Sequence, residues 1–313
     1  MALLKYIGYL SMKLFNKPLV LAFCFSTVLV LLFPFIVHAA TVPTVDLGTA
    51  ENFAVLAGTE ITNVPTSVIT GDVGLSPAAG GNYAGLTDAE VTGTIYAVDG
   101  AGPAGSVNNP ALLTTAKNDL TTAYLDAAGR TPNQTFTGTD NQLGGQTLAP
   151  GVYAFPHADT ANLTAASPLI LDAQGDPNAV FIFQASSDLI TASGSTVSLI
   201  NGAQACNVFW QVTSSATLGT GSTFVGTIMA LTSITVASDV DVEGRLLARN
   251  GAVTLIADTI TSAICTITDT ELPDTNGLTV ANKTIPWNTL IVILATISTG
   301  AFLLSISKKK TIA

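Results

Sequence analysis

The sequence predicts a mainly β chain: a β-solenoid of stacked coils, one long α-helix laid along it, and a transmembrane helix near the C-terminal end. Three observations carry this reading. Short pieces of sequence recur at a variable period near twenty residues, one segment departs from them with helical spacing, and one long run close to the C-terminus carries no charge.

The recurrence sets the architecture. ITGDV (Ile69 to Val73), VTGTI (Val91 to Ile95), FVGTI (Phe224 to Ile228) and VEGRL (Val242 to Leu246) share a glycine followed two residues on by an aliphatic side chain. GTIMALTS matches GRLLARNG eighteen residues on, and FIFQASSDLITASGST matches VFWQVTSSATLGTGST twenty-seven residues on. Self-similarity of this kind marks stacked coils rather than a sandwich. VFIFQ, VFWQV, TIMAL and VTLIA read as short strands, broken by Gly, Ser, Asn or Asp. Alternation then turns Phe224, Val242 and Ile260 inward and Thr223, Asp241 and Thr259 outward.

The exception is NPALLTTAKNDLTTAYLDAAGR. Asn109 caps it, Pro110 takes the first helical position, and Gly129 follows the last turn. Leu113, Ala116, Leu120, Tyr124 and Ala127 form one apolar stripe. A helix over about 110–128, roughly 28 Å long, spans about six coils at about 4.8 Å each. Its expected role is to seal one side of the solenoid.

The ends are of a different kind. Residues 1–40 close on lysines, a long apolar run and Val37-His38-Ala39, the order of a secretory signal peptide. Trp287 to Ile306 is uncharged and is followed by Lys308, Lys309 and Lys310. At about 1.5 Å per residue it crosses a bilayer core, with residues 307–313 as a cytoplasmic tail. Between the solenoid, 41–265, and this span lies a linker, 266–286, containing Leu272-Pro273-Asp274-Thr275-Asn276. That stretch resembles an LPxTG sorting signal, with Asn276 where the signal has Gly. The expectation is an exported domain anchored in the membrane at the cell surface; sortase processing to the cell wall is the alternative.

The net charge of −10 disfavours nucleic acid as a partner. Cys206 and Cys265 suit one disulfide in an exported domain, or two buried thiols. Catalysis on a solenoid needs paired carboxylates or a nucleophile with its base. Neither has a recognisable spacing, and His157 sits alone in a loop-like FPHAD context. No enzyme, metal or cofactor is expected.

What remains is hydroxyl chemistry. TLGTGSTFVG, Thr217 to Gly226, has no charge and four hydroxyls. Under the twenty-seven-residue offset, Ser193 and Thr196 fall on Thr220 and Thr223, so hydroxyls stack from coil to coil. Thr259 extends the same set beyond Asp241. Thr213, Ser215, Thr232 and Thr235 offer a second candidate face. The acids of DVDVEG, namely Asp239, Asp241 and Glu243, interrupt the first.

Long stretches of the body, including LGTAENFAVLAGTEITN, LGGQTLAPGVY, NGAQACNVFWQV and SSATLGTGSTFVGTIMALTSIT, resemble the microbial ice-binding (antifreeze) protein family. The resemblance covers Val45 to about Thr261. It implies a right-handed, discontinuous β-helix of triangular section with a long helix alongside, and binding of ice crystals through one flat face. The family's T-A/G-x-T type pattern is met by Thr220-Gly221-Ser222-Thr223, and with Ser first by Ser193-Gly194-Ser195-Thr196. The rival expectation is a surface adhesin of the same fold that grips glycans or other cells.

Overall fold

The computed structural model describes residues 42–136, 141–156 and 160–266. The expected signal peptide, the LPDTN stretch, the membrane span and tail, and His157 lie outside them. Among the described residues no helix is long and apolar enough to cross a membrane.

One coil shows how the body is built. Val208–Val212 lies on a first face, a; the chain turns into Ala216–Leu218 on a second face, b. It turns again and reaches a third face, c, at Thr223, where Thr223–Ala230 begins. That strand crosses the c–a edge and ends back on face a, against Val208–Val212. The next coil repeats this in register, with Phe224 beside Val242, Gly226 beside Gly244 and Ile228 beside Leu246. The pairings between coils are parallel, and the eighteen- and twenty-seven-residue offsets of the sequence are coil lengths.

The glycine signature has a steric origin. Gly226 adopts φ 110° and Gly71 φ 129°, a region that favours glycine. A methyl on Gly244 would overlap the carbonyl of Gly226, and one on Gly93 that of Gly71. Successive coils therefore meet backbone to backbone at the c–a edge.

The stack is discontinuous. Phe53–Ala57 pairs with Asp241–Ala248, Ile61–Val64 with Val253–Ile256, and Val68–Thr70 with Thr259–Thr261. The N-terminal coils thus continue the solenoid beyond the last C-terminal coil. The helix Pro110–Gly129 carries the chain back to the far end, where Gln134–Thr135 and Gly151–Phe155 resume face a.

The interior is apolar and stacked. Tyr153, Phe183, Trp210 and Phe224 form a column with ring centroids 5.4, 4.0 and 5.2 Å apart. Trp210 satisfies its one polar atom by donating to the Val225 carbonyl at 2.9 Å. Each large side chain so buried stabilises the fold by about 1.5–3 kcal/mol.

Asn109 caps the helix by accepting from the Leu112 N–H at 3.1 Å. The expected stripe, Leu113, Ala116, Leu120, Tyr124 and Ala127, is buried, with Ala123 added. It packs on Val152, Ile182, Phe209, Met229, Leu247 and Leu56, which come from six neighbouring strands of face a, the span expected from the helix length. Gly129 is the last helical residue and Arg130 the C-cap, one position later than the sequence suggests. Lys117 fixes the lateral position by donating to the Ala248 and Arg249 carbonyls at 2.7 and 2.6 Å. Burial, with Arg249 beside it, pushes the Lys117 ammonium down to about 7. Face a is therefore covered, and among the described residues faces b and c keep exposed side chains.

Candidate functional site

Face b is a seven-stranded sheet whose strands begin, in stack order, at Ala161, Leu189, Ala216, Ile234, Val253, Ile61 and Tyr83. Ala161, Leu189, Ala216, Ile234, Val253 and Ile61 point into the core, so the following residue points out. Those outward residues are paired in register as Asn162–Ile190–Thr217–Thr235–Thr254–Thr62–Ala84. Four threonines stand consecutively, about 4.8 Å apart. Thr217 and Thr235 are exposed, and Thr254 and Thr62 half-buried.

Small residues border this ladder. The positions preceding the strands are, in stack order, Thr160, Asp188, Ser215, Ser233, Ala252, Glu60 and Asn82. Ser215 and Thr232 share a hydroxyl–hydroxyl hydrogen bond of 2.6 Å. The two carboxylates of the border are each tied down. Asp188 accepts from the Ser215 N–H at 3.0 Å, which holds its carboxyl below the usual range, and Glu60 accepts from the Thr62 hydroxyl at 3.1 Å.

The b–c edge is held by buried polar groups. Asp258 accepts from the Val240 and Ile256 N–H groups at 2.9 and 2.7 Å. Burial is the main cause that pushes its carboxyl up to about 6, with Asp239 and Asp241 adding to it. One coil further, Glu90 accepts from Asn63 and from the Ser67 N–H at 2.9 and 3.1 Å, and Ser67 donates to Asn63 at 2.7 Å. These bonds satisfy backbone N–H groups where Ile234–Val236, Val253–Ile256 and Ile61–Val64 lead into their turns.

Face c carries the first candidate set only in part. Its outer row runs Thr196–Thr223–Asp241–Thr259–Val68. The next is Val225–Glu243–Thr261–Thr70–Thr92. Asp241 and Glu243 occupy the middle of the plane, both exposed. Ser193 and Thr220 do not join it. They stand exposed in the turns at the b–c edge, where the Gly194 N–H donates to the Thr220 carbonyl at 2.9 Å.

The second candidate set divides likewise. Thr235 stands within the face-b ladder, whereas Thr213, Ser215 and Thr232 lie on the a–b turns that fringe it. Thr217, Thr254 and Thr62 were not among the candidates. Their signal was the outward position of ATL, ITV, VTL and ITN, the same alternation that places Thr235. Cys206 and Cys265 are bonded, with Cα atoms 5.4 Å apart. Among the described residues no group of three or more His, Cys, Asp or Glu is placed to hold a metal ion.

The fold is a parallel solenoid with one face sealed by a helix and another carrying a ladder of threonine hydroxyls and methyls. The comparisons place it more narrowly. Residues 55–261 match the model of the ice-binding-like family, and the chain belongs to that family. It is 46% identical over 221 residues to an ice-binding protein of Nostoc sp. (strain HG1), covering 70% of this chain and 75% of that one. An ice-binding protein of Flavobacterium frigoris (strain PS1) is 41% identical over 221 residues, covering 71% and 77%. Among solved structures, an ice-binding protein from an Antarctic biological consortium superposes with a TM-score of 0.63 at 38% identity, covering 74% of this chain and 97% of that one.

Proposed function

We propose that this chain binds ice through face b. The observation that carries the proposal is the uncharged, in-register ladder Thr217–Thr235–Thr254–Thr62. Ice presents neutral oxygens on a rigid lattice, and an ionised group keeps its own tightly held water. A stiff array of hydroxyls and methyls instead orders surface water into a lattice-like layer. Threonine supplies both groups, and its branching restricts χ1. Sheet geometry supplies the spacing, about 4.8 Å across coils and about 6.6 Å between alternate residues of a strand. Each contact is weak; many contacts, pre-organised so that little freedom is lost, hold the crystal.

The proposal extends to place. The apolar run before Ala39 and the uncharged stretch 287–306 followed by lysines support an exported domain anchored at the cell surface. The LPDTN stretch supports sortase processing as a variant of the same idea. Anchored there, an ice binder attaches the cell to ice or shields its surface.

A second reading, a glycan- or cell-binding adhesin of the same fold, draws on face c, where Asp241 and Glu243 offer acceptors to sugar hydroxyls. Ice-affinity partition and thermal hysteresis of the purified protein separate the two. Partition into growing ice together with faceted crystals is the expected result. A protein left in the liquid around unfaceted crystals ends the ice reading.

A further inference from the structure

We infer that the c–a edge is a mechanical tether, built so that a pull on the chain beyond residue 266 enters the solenoid at its middle and not at its last strand. This concerns how load is borne, and it stands whether or not face b binds ice.

The last strand, Thr259–Thr261, is a weak point. It pairs over three residues with Asp241–Glu243 and with Val68–Thr70. On face c, Val68–Thr70 and Val91–Thr92 connect to the rest of the stack through it. A strand pulled from its free end loses its hydrogen bonds one after another, and terminal elements open at the lowest free energy. Peeling Thr259–Thr261 would detach the third face of the N-terminal coils.

The residues that follow it prevent this. The Ser262 N–H donates to the Thr70 carbonyl at 2.9 Å. Arg245, 4% exposed, donates to the Ala263 carbonyl at 2.9 Å and to the Glu51 carbonyl at 2.8 Å. Cys265 is bonded to Cys206. The Thr266 N–H and hydroxyl donate to Gln204 Oε1 at 2.7 and 2.9 Å, and Gln204 itself donates to the Pro177 carbonyl at 2.8 Å. The tail is thus sewn onto the 201–207 turn of an earlier coil.

That turn is a strong entry point. Cys206 lies just before Val208–Val212, whose five residues are all buried. This strand pairs over five residues with Phe181–Ala185 and over four with Thr223–Ala230. Load arriving at Cys206 must shear a strand held on both sides.

The position also fixes the edge of attachment. The 201–207 turn joins Val197–Ile200 on face c to Val208–Val212 on face a. Of the three edges of the solenoid, this is the one that does not border face b. The N-terminal segment is strapped nearby, with the Thr44 hydroxyl donating to Asn207 Oδ1 at 3.4 Å. The tail is therefore fastened at the edge that lies opposite face b.

Single-molecule pulling on the full chain tests this, with one handle at the C-terminal end and one on a click-reactive residue in place of Thr235. In the reduced chain we expect an early, low-force step that frees the residues between 235 and 266. In the oxidised chain that step is expected to be lost, with first rupture at higher force. A C206S/C265S chain should behave as the reduced one without reductant. Hydrogen exchange without load gives a second readout: the Thr259 and Ser262 amides should exchange faster in the reduced chain. Equal first-rupture forces with equal exchange, or an oxidised chain that still yields at Thr259–Thr261 first, would overturn the inference.

Discussion

Faces b and c are made by the same coils from nearly the same residue types, yet they differ in where charge sits. On face b, Thr217, Thr235, Thr254 and Thr62 run without interruption, and the carboxylates of Asp188 and Glu60 stay on the border, each engaged in a hydrogen bond. On face c, Asp241 separates Thr223 from Thr259, and Glu243 stands before Thr261. On the proposed reading, hydroxyl content alone does not make a lattice-matching plane; continuity across coils does, because one strongly hydrated side chain would spoil the water order over its neighbours.

The sharpest way to break this comparison is a bulky ring on each face in turn. Tyr at Thr235 stands in the centre of the ladder and lifts Thr217 and Thr254 off a flat crystal. We expect Thr235→Tyr to lower ice affinity at least about tenfold, which is about 1.4 kcal/mol, read as thermal hysteresis against concentration. Thr223→Tyr should stay within about twofold. The opposite ranking would move the site to face c. A slightly smaller loss, several-fold, is expected from Thr254→Asp, which gives face b the interruption that Asp241 makes on face c. Because the ordinary Asp value is about 3.9, part of that loss should return in hysteresis measured near pH 3.

Those variants also mark how far the sequence could be read. The solenoid, the helix stripe and the inward–outward alternation were legible, because each follows from a local period: eighteen or twenty-seven residues for the coil, about 3.6 for the helix, two for the strand. The face itself was not. TGST and SGST are conspicuous motifs, but Thr220 and Ser193 stand on the edge, and only their last members, Thr223 and Thr196, reach face c. Thr235 was identifiable by alternation. The same alternation turns Thr62 outward, but its place in the ladder was not legible, since it joins through Thr254, a contact between the start of the chain and a point near its end. A repeat search orders coils as they occur in sequence, and this stack does not follow that order. The Cys206–Cys265 pairing was equally open until the turn and the tail were placed side by side.

A gain of function sharpens the comparison from the other direction. Replacing Asp241 and Glu243 together by Thr makes the outer row of face c Thr-continuous from Thr196 through Thr259. If charge is what silences that face, hysteresis should rise modestly and crystals should show a new habit. A double variant indistinguishable from the parent would mean that the curvature or spacing of face c, not its charge, excludes ice. On face b, Ile190→Thr lengthens the ladder by one rung, and a gain smaller than that of the double variant is expected.

The smallest effect expected concerns the edge that separates the two faces. Asp258 closes the b–c turn, and its folded carboxyl, pushed up to about 6, lies above the unfolded value of about 3.9. Between these two values the folded state binds more protons than the unfolded one, so the stability contribution grows as pH falls from about 6 to about 4. Above 6 the buried carboxylate imposes its full cost. Lys117, pushed down to about 7, takes up its proton in the same window and opposes this rise in part, mostly between pH 7 and 6; urea midpoints should still be higher at pH 5 than at pH 7, where Glu90 and Asp188, both held below their ordinary values, stay ionised. Asp258→Asn should flatten that rise while leaving the face-b ladder in place. If the slope between pH 7 and 5 survives the substitution, another group carries it, and Asp258 does not titrate in this window.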